Sequence, residues 1–345
     1  MPPSRAAEPL TGTNHAVPDQ AATPKTSQEW FQDLAQDAWR RGQAAMAAGD
    51  MDDALRWLER AHRIGPRDAA VALALATVRL RLGAFAEAAS LLDDVVGRHD
   101  LREAWLTLAV VRRGLADPAG AAVALAQALS RHVLPDEAGI AALADAVAAE
   151  AGLPGWCGLR ADGHVAAMVP DGAKAKLSVD GMRLAPGARV PDTAAAADVT
   201  VGGRALLGSP LAVAQIRRIE GVVAVRDGGL EGWAWHPGDP DADPVLTVRS
   251  AAGKALFTLT ADDTRMLAPG PLARPRRFHV PASRFARLAG AVRVTGRDGR
   301  DLLGSPLTPG AEQSRAADAA RAVAALFPAA GRRRHAGGSD AAPTD

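Results

Sequence analysis

The sequence predicts a multidomain α plus all-β chain. An α-solenoid comes first, a duplicated small β-sandwich or barrel-like domain follows, and a C-terminal helix and disordered termini complete it. Three observations carry this expectation. Small residues recur with a period of about 34 between Ala35 and Leu134, as in stacked supersecondary units. At Leu153 the composition turns to Gly, Pro and short alternating apolar runs, the pattern of strands joined by tight turns. The string Leu206-Leu207-Gly208-Ser209-Pro210-Leu211 also returns unaltered as Leu302-Leu303-Gly304-Ser305-Pro306-Leu307, each time after a Val-x-Val strand and a glycine turn, which indicates duplication.

Residues 1–27 are rich in Pro, Thr, Ala and Ser and contain no apolar run, so they read as a disordered lead-in, neither a secretory signal nor an anchor. Ser27 can cap a helix bearing Trp30, Phe31, Leu34 and Trp39. A first repeat, Ala35 to Asp68, places Gly42 and Gly49 in or after one helix, Ala54, Leu58 and Ala61 along the next, and Pro66 at its exit. The second, Ala69 to about Leu101, keeps Ala72, Leu75, Gly83, Ala88, Leu92 and Val95 but has Asp100 where a proline is expected. The third, Arg102 to Leu134, carries Trp105, Ala121, Leu125, Ala128 and Leu129, and Asp117-Pro118 opens its second helix because proline suits a first helical turn. Residues 137–151 have helical spacing and would cover the last repeat, which ends a helical domain spanning 28–151.

These placements resemble the tetratricopeptide repeat family over about residues 35–134. The resemblance implies that the first helices of successive hairpins line a concave groove for an extended peptide. Gln36, Gln43, Thr77, Arg81 and Arg113 hold the matching inner positions, and two arginines would suit a peptide bearing carboxylates. The same arginines could equally be solvated helix ends. His62, His99 and His132 fall near the close of second helices, where the helix dipole favours them without any metal.

In the β region, 152–310, two copies are expected at 156–213 and 230–309. Each starts from a tryptophan segment, Trp156 in one and Trp233-Ala234-Trp235 in the other. Each continues into a hairpin, Ala175 to Leu184 about Asp180-Gly181 and Val245 to Leu259 about Ala252-Gly253. A strand-like link around Val222 to Val225 joins them. Ala316, Ala320, Val323 and Leu326 then suit an amphipathic helix over 311–328, before a polar, disordered tail at 329–345.

Forty basic against 39 acidic residues leave a net charge of +1, so no whole-molecule field exists to hold nucleic acid or an anionic membrane. No apolar stretch approaches the roughly 20 residues that cross a bilayer. The single cysteine, Cys157, excludes an internal disulfide framework and a cysteine-based metal cluster, and fits the reducing cytoplasm. Four lysines against 36 arginines and no tyrosine suggest a GC-rich bacterial genome.

No catalytic constellation, cofactor loop or metal site is expected. Asp239-Pro240-Asp241-Ala242-Asp243 spaces three carboxylates as in a calcium loop but lacks the following Gly and the later Glu, so it reads as a solvated turn. Ser209 and Ser305 stand in Gly-Ser-Pro, not in a nucleophile elbow, and Cys157 has no adjacent base. Trp233 and Trp235 alternate on a strand and share one face, where they could stack on sugar rings or fill a core. Eight arginines lie between Pro271 and Arg300 against the one acid Asp298, which makes Arg274, Arg276 and Arg277 candidates for an anion patch or a solvated face.

The phrase Leu230 to Pro237, continued by Asp243 to Val248, is similar to non-catalytic regions of large bacterial glycosyltransferases. That resemblance implies a setting in surface polysaccharide synthesis, although no transferase domain would fit after residue 310. The expectation is a non-enzymatic interaction protein with an extended peptide or a glycan-assembly enzyme as partner. A glycan ligand is the alternative.

Overall fold

The computed structural model describes residues 26–264 and 274–309. The lead-in, the 311–328 helix and the 329–345 tail expected from sequence lie outside the described residues, the lead-in save for its last two.

The first half is helical: α1 (Ser27–Ala48), α2 (Met51–Ile64), α3 (Ala69–Arg81), α4 (Phe85–Val96), α5 (Arg102–Gly114), α6 (Pro118–Arg131) and α7 (Ala138–Glu150). Three hairpins are cut at equivalent points. Gly49, Gly83 and Ala116 each adopt positive φ, at 81°, 77° and 56°, and turn the chain out of a first helix. Their spacing reproduces the sequence period, including the residue missing from the third pass. Asp50 and Asp117 then cap the second helices by accepting from Asp53 and Gly120 N–H, whereas Ala84 offers α4 no such bond. Gly42 has no substitute, because a Cβ there would stand 2.7 Å from the Leu58 side chain across the first hairpin.

Leu58, Leu75, Leu92 and Leu125, all essentially unexposed, fill the space between helices; burying each stabilises the fold by roughly 1.5–3 kcal/mol. The core of the second and third hairpins runs on through Ala144 and Val147 of α7 and ends on Trp156 and Leu207 of the β region. The last repeat is therefore covered by α7 and by the β region together.

Asp100, found where the family pattern has proline, ties three elements. It accepts from Trp105 Nε1 at 2.9 Å and from Gln215 Nε2 at 2.5 Å, and lies 3.4 Å from His132 Nε2. Burial pushes its carboxyl up, but the nearby His132 ring, the Trp105 N–H and the Arg131 charge outweigh burial and hold it at about 2. A carboxyl whose pKa falls on folding stabilises the native state above its unfolded pKa, and that contribution fades as the pH drops from about 4 to about 2. Asp100→Asn is expected to cost about 1–2 kcal/mol at neutral pH and to flatten the acid limb of stability. Urea unfolding at pH 7 and pH 3 measures both.

The second half holds the hairpin β1 (Trp156–Leu159) and β2 (Val165–Met168), then β3 (Lys176–Val179), β4 (Met182–Leu184), β5 (Ala197–Val201), β6 (Arg204–Ala205) and the short α8 (Val213–Ile216). It continues with β7 (Glu220–Arg226), β8 (Gly229–Trp235), β9 (Val245–Ser250), β10 (Ala255–Thr260), β11 (Arg276–Val280), α9 (Ala282–Phe285) and β12 (Val292–Thr295). The sheets have orders β1-β2, β4-β3-β5-β6, β11-β8-β7 and β10-β9-β12, and every pairing is antiparallel. Among the described residues none closes into a barrel, so the barrel-like alternative gives way to small open sheets.

The two identical hexapeptides make the same bonds. Val199 and Val294 N–H donate to the Ser209 and Ser305 hydroxyls, both at 2.9 Å, and both Ser-Pro bonds are cis. Leu207 bridges Trp156, and Leu303 bridges Val222. Trp156 thus corresponds to Val222, and the tryptophan segment 233–235 lies one strand later. The stretch read as a link, Val222 to Val225, is part of β7. An aromatic anchor aligned the copies one strand out of step, since the equivalent position carries valine.

No helix among the described residues is long and apolar enough to cross a membrane.

Candidate functional site

The face expected to hold a peptide is built from α1, α3 and α5. Gln36 and Gln43 of α1 are exposed. Thr77 is half-buried and donates its hydroxyl to the Leu73 carbonyl at 2.9 Å, so it shapes the face more than it offers a free donor. Arg81 is exposed at the end of α3, its guanidinium 4.0 Å from Met51 Sδ. Arg113 forms a fork on Glu150 of α7, with Nη2 at 2.6 Å and Nε at 2.9 Å, which holds the Glu150 carboxyl below its usual range. An internal carboxylate therefore already occupies the third-repeat arginine.

Sequence reasoning missed the apolar part of this face. Leu73 and Leu80 flank Thr77 at helical spacing on α3, and Leu106 and Val110 precede Arg113 in the same way on α5. The three leucines are half-buried and Val110 is 37% exposed. The signal was the helical spacing, three, four or seven positions from Thr77 and Arg113.

Arg274, Arg276 and Arg277 each have a partner within the fold. Arg276 is 8% exposed, and its guanidinium donates to the carbonyls of Arg274 (2.6 Å), Asp241 (2.8 Å) and Pro240 (3.2 Å) while lying against the Asp243 carboxylate. Arg274 pairs with Asp241, and Arg277 faces Glu231 at 3.7 Å. Each of the three guanidiniums thus faces a carboxylate of the β region, Arg276 buried and Arg274 and Arg277 partly exposed.

The 239–243 loop is a turn whose half-exposed Asp241 and Asp243 also take part in ion pairs. Asp241 also receives Arg102 of α5 at 2.9 Å. Just before it, the Gly238 carbonyl accepts from Val133 N–H at 2.7 Å, and buried His236 places Nε2 2.6 Å from the Ile216 carbonyl. Burial lowers the His236 pKa to about 4, leaving a neutral ring that donates to that carbonyl. The loop joins the helices, α8 and β11 at one point. Among the described residues no group of three or more His, Cys, Asp or Glu side chains is arranged to hold a metal.

Trp233 and Trp235 share one side of β8, while Leu230 and Ala234 on the other enter the core with Phe278 and Val280. Both indoles are half-buried, and Trp235 Nε1 donates to Glu220 at 3.2 Å. They form a partly open surface and are no part of that core. The Cys157 thiol is buried and pushed up to about 12 by that burial, the state of an unreactive thiol.

A tetratricopeptide repeat model matches residues 45–110. No curated protein matches the chain. Among solved structures, the tetratricopeptide domain of Arabidopsis OM64 is 19% identical, with a TM-score of 0.28, covering 29% of this chain and 83% of that one. The first such domain of human RPAP3 is 18% identical, with a TM-score of 0.30, over 34% of this chain and 96% of the other. The TPR2B domain of yeast Sti1 in its pHsp70 complex is 20% identical, with a TM-score of 0.27, over 28% and 78%.

Proposed function

We propose that this protein is a non-enzymatic adaptor that binds an extended polypeptide along the face of α1, α3 and α5. One observation carries the reading: α3 and α5 bear half-buried Leu73, Leu80 and Leu106 and the 37% exposed Val110 beside the polar Arg81 and Arg113. Apolar residues of that kind suit the apolar side chains of an extended segment, with polar ends to fix its direction. Residues 28–151 are in this reading the recognition unit, and the β region, 152–310, is a rigid support holding two copies of one fold.

The experiment is selection of peptides from a random display library on the intact protein, followed by calorimetry. Val110→Asp with Leu106→Ser is expected to weaken a selected peptide at least ~30-fold, the loss of one buried hot spot. Arg81→Glu should change the preferred charge at one end. Unaltered affinity in both variants, with circular dichroism preserved, would remove the groove from the account.

A narrower role beside glycan-assembly enzymes in a bacterial cytoplasm rests on the Leu230 to Pro237 phrase, the arginine-rich composition and the lone cysteine. A glycan alternative draws on the half-open Trp233 and Trp235. Array binding lost in Trp235→Ala is its test, and silence on a broad array ends it.

A further inference from the structure

One end of the helical stack is covered, where the core passes through Ala144 and Val147 of α7 onto Trp156 and Leu207 of the β region. A stack of repeats needs such a cover, because each hairpin buries its apolar side only against a neighbour. At the opposite end stand α1 and α2. There Trp30 is 60% exposed and Leu34 is half-buried. Between the two helices opens a cleft of about 600 Å³, floored by exposed Ala44 and Ala48. One wall is the half-buried Trp57 indole, which donates its N–H to Asp53 at 3.2 Å and carries the Arg41 guanidinium 4.6 Å from its ring centre.

These features run along one side of α1. Trp30, Leu34, Asp37, Arg41, Ala44 and Ala48 follow one another by three or four positions, the spacing of a single helical stripe. Reversed, the stripe complements itself. Counted from Trp39, Asp37 and Arg41 stand two positions to either side, Leu34 and Ala44 five, and Trp30 and Ala48 nine. An antiparallel copy of α1, related by a two-fold axis at that level, sets Asp37 against Arg41, Leu34 against Ala44 and Trp30 against Ala48, each pair twice. At 1.5 Å per residue each Trp30 lies about 13 Å from the axis, over the alanine floor of the other copy. Within one chain Asp37 is already 2.9 Å from Arg41, so the axis brings together four charges of alternating sign.

We propose that this protein forms a two-fold dimer through α1, in which Trp30 of each copy enters the cleft beside Trp57 of the other. The partner is a second copy of this chain. The charge pattern selects it in this orientation, since acid opposes base when the helices run antiparallel and like opposes like when they run parallel. The exposed indole supplies the large aromatic anchor, and the alanines opposite leave room for it. A pair of helices makes a small interface, so the dimer exchanges with monomer at micromolar concentration.

Sedimentation of the intact protein from about 1 µM to about 100 µM tests this, and the parent should pass from monomer to dimer over that range. Trp30→Ser replaces an exposed side chain and should raise the dissociation constant at least ~30-fold, the loss of one hot spot. Asp37→Arg should weaken the dimer roughly 10-fold by setting arginine against arginine across the axis, and Asp37→Arg with Arg41→Asp should restore it. Circular dichroism of each variant checks that helix content is unchanged. Monomer at every concentration, a dimer indifferent to Trp30→Ser, or a double variant no tighter than Asp37→Arg alone would overturn the proposal.

Discussion

Trp156→Ala is expected to destabilise the protein by about 4 kcal/mol and to split one unfolding transition into two. Trp156 is 5% exposed and closes the core that runs from α3 through α7, with Leu207 beside it and its indole N–H donated to Asp145 at 2.7 Å. Alanine leaves a large void that packed helices cannot collapse into, and removes the indole hydrogen bond to Asp145. Because this residue belongs to the β region by position and to the helical core by contact, its loss uncouples the two. Calorimetry should resolve a β transition from a helical one, and Asp145→Ala should cost only about 1 kcal/mol, the share of one hydrogen bond. A single transition with an unchanged midpoint in Trp156→Ala would show that the halves are held together elsewhere.

Much of the helical part was legible because its determinants are local and periodic. Gly42, Ala54, Leu58 and Ala61 announce a close-packed hairpin by spacing alone, and the repeat model, matching residues 45–110, takes in the last three. The β region was legible at the level of its strands and its two Gly-Ser-Pro turns, since a hydroxyl accepting from a valine N–H is fixed within eleven residues of chain. What sequence could not show was pairing across long separations. Arg102 meets Asp241 from 139 residues away, and Arg276 meets the same loop from 35. Composition made Arg276 look like part of a charged face, because an ion pair is invisible until topology supplies the partner. The proposed peptide face was half legible for a related reason: Arg113 lies on α5, but its partner Glu150 is on a helix outside the repeat.

The second large effect is expected at Arg276. Arg276→Ala should cost about 3–5 kcal/mol, since it leaves three carbonyls and the Asp243 carboxylate, all held by one guanidinium, without their donor in a largely buried position. Arg276→Lys should recover less than half, because a single ammonium cannot reproduce a planar fork that reaches Pro240, Arg274 and Asp241 at once. The damage should also travel. The loop that Arg276 shapes carries Gly238, whose carbonyl holds Val133, and Asp241, which holds Arg102, so loosening it releases the helical half from two bonds at its junction. Hydrogen exchange at the Val133 amide should therefore accelerate in Arg276→Ala, although the two residues are 143 positions apart. If lysine restores full stability, charge alone matters and the clamp geometry is incidental. If Val133 exchange stays at the parent rate while stability falls, the loop serves the β sheet only, and the junction rests on Trp156.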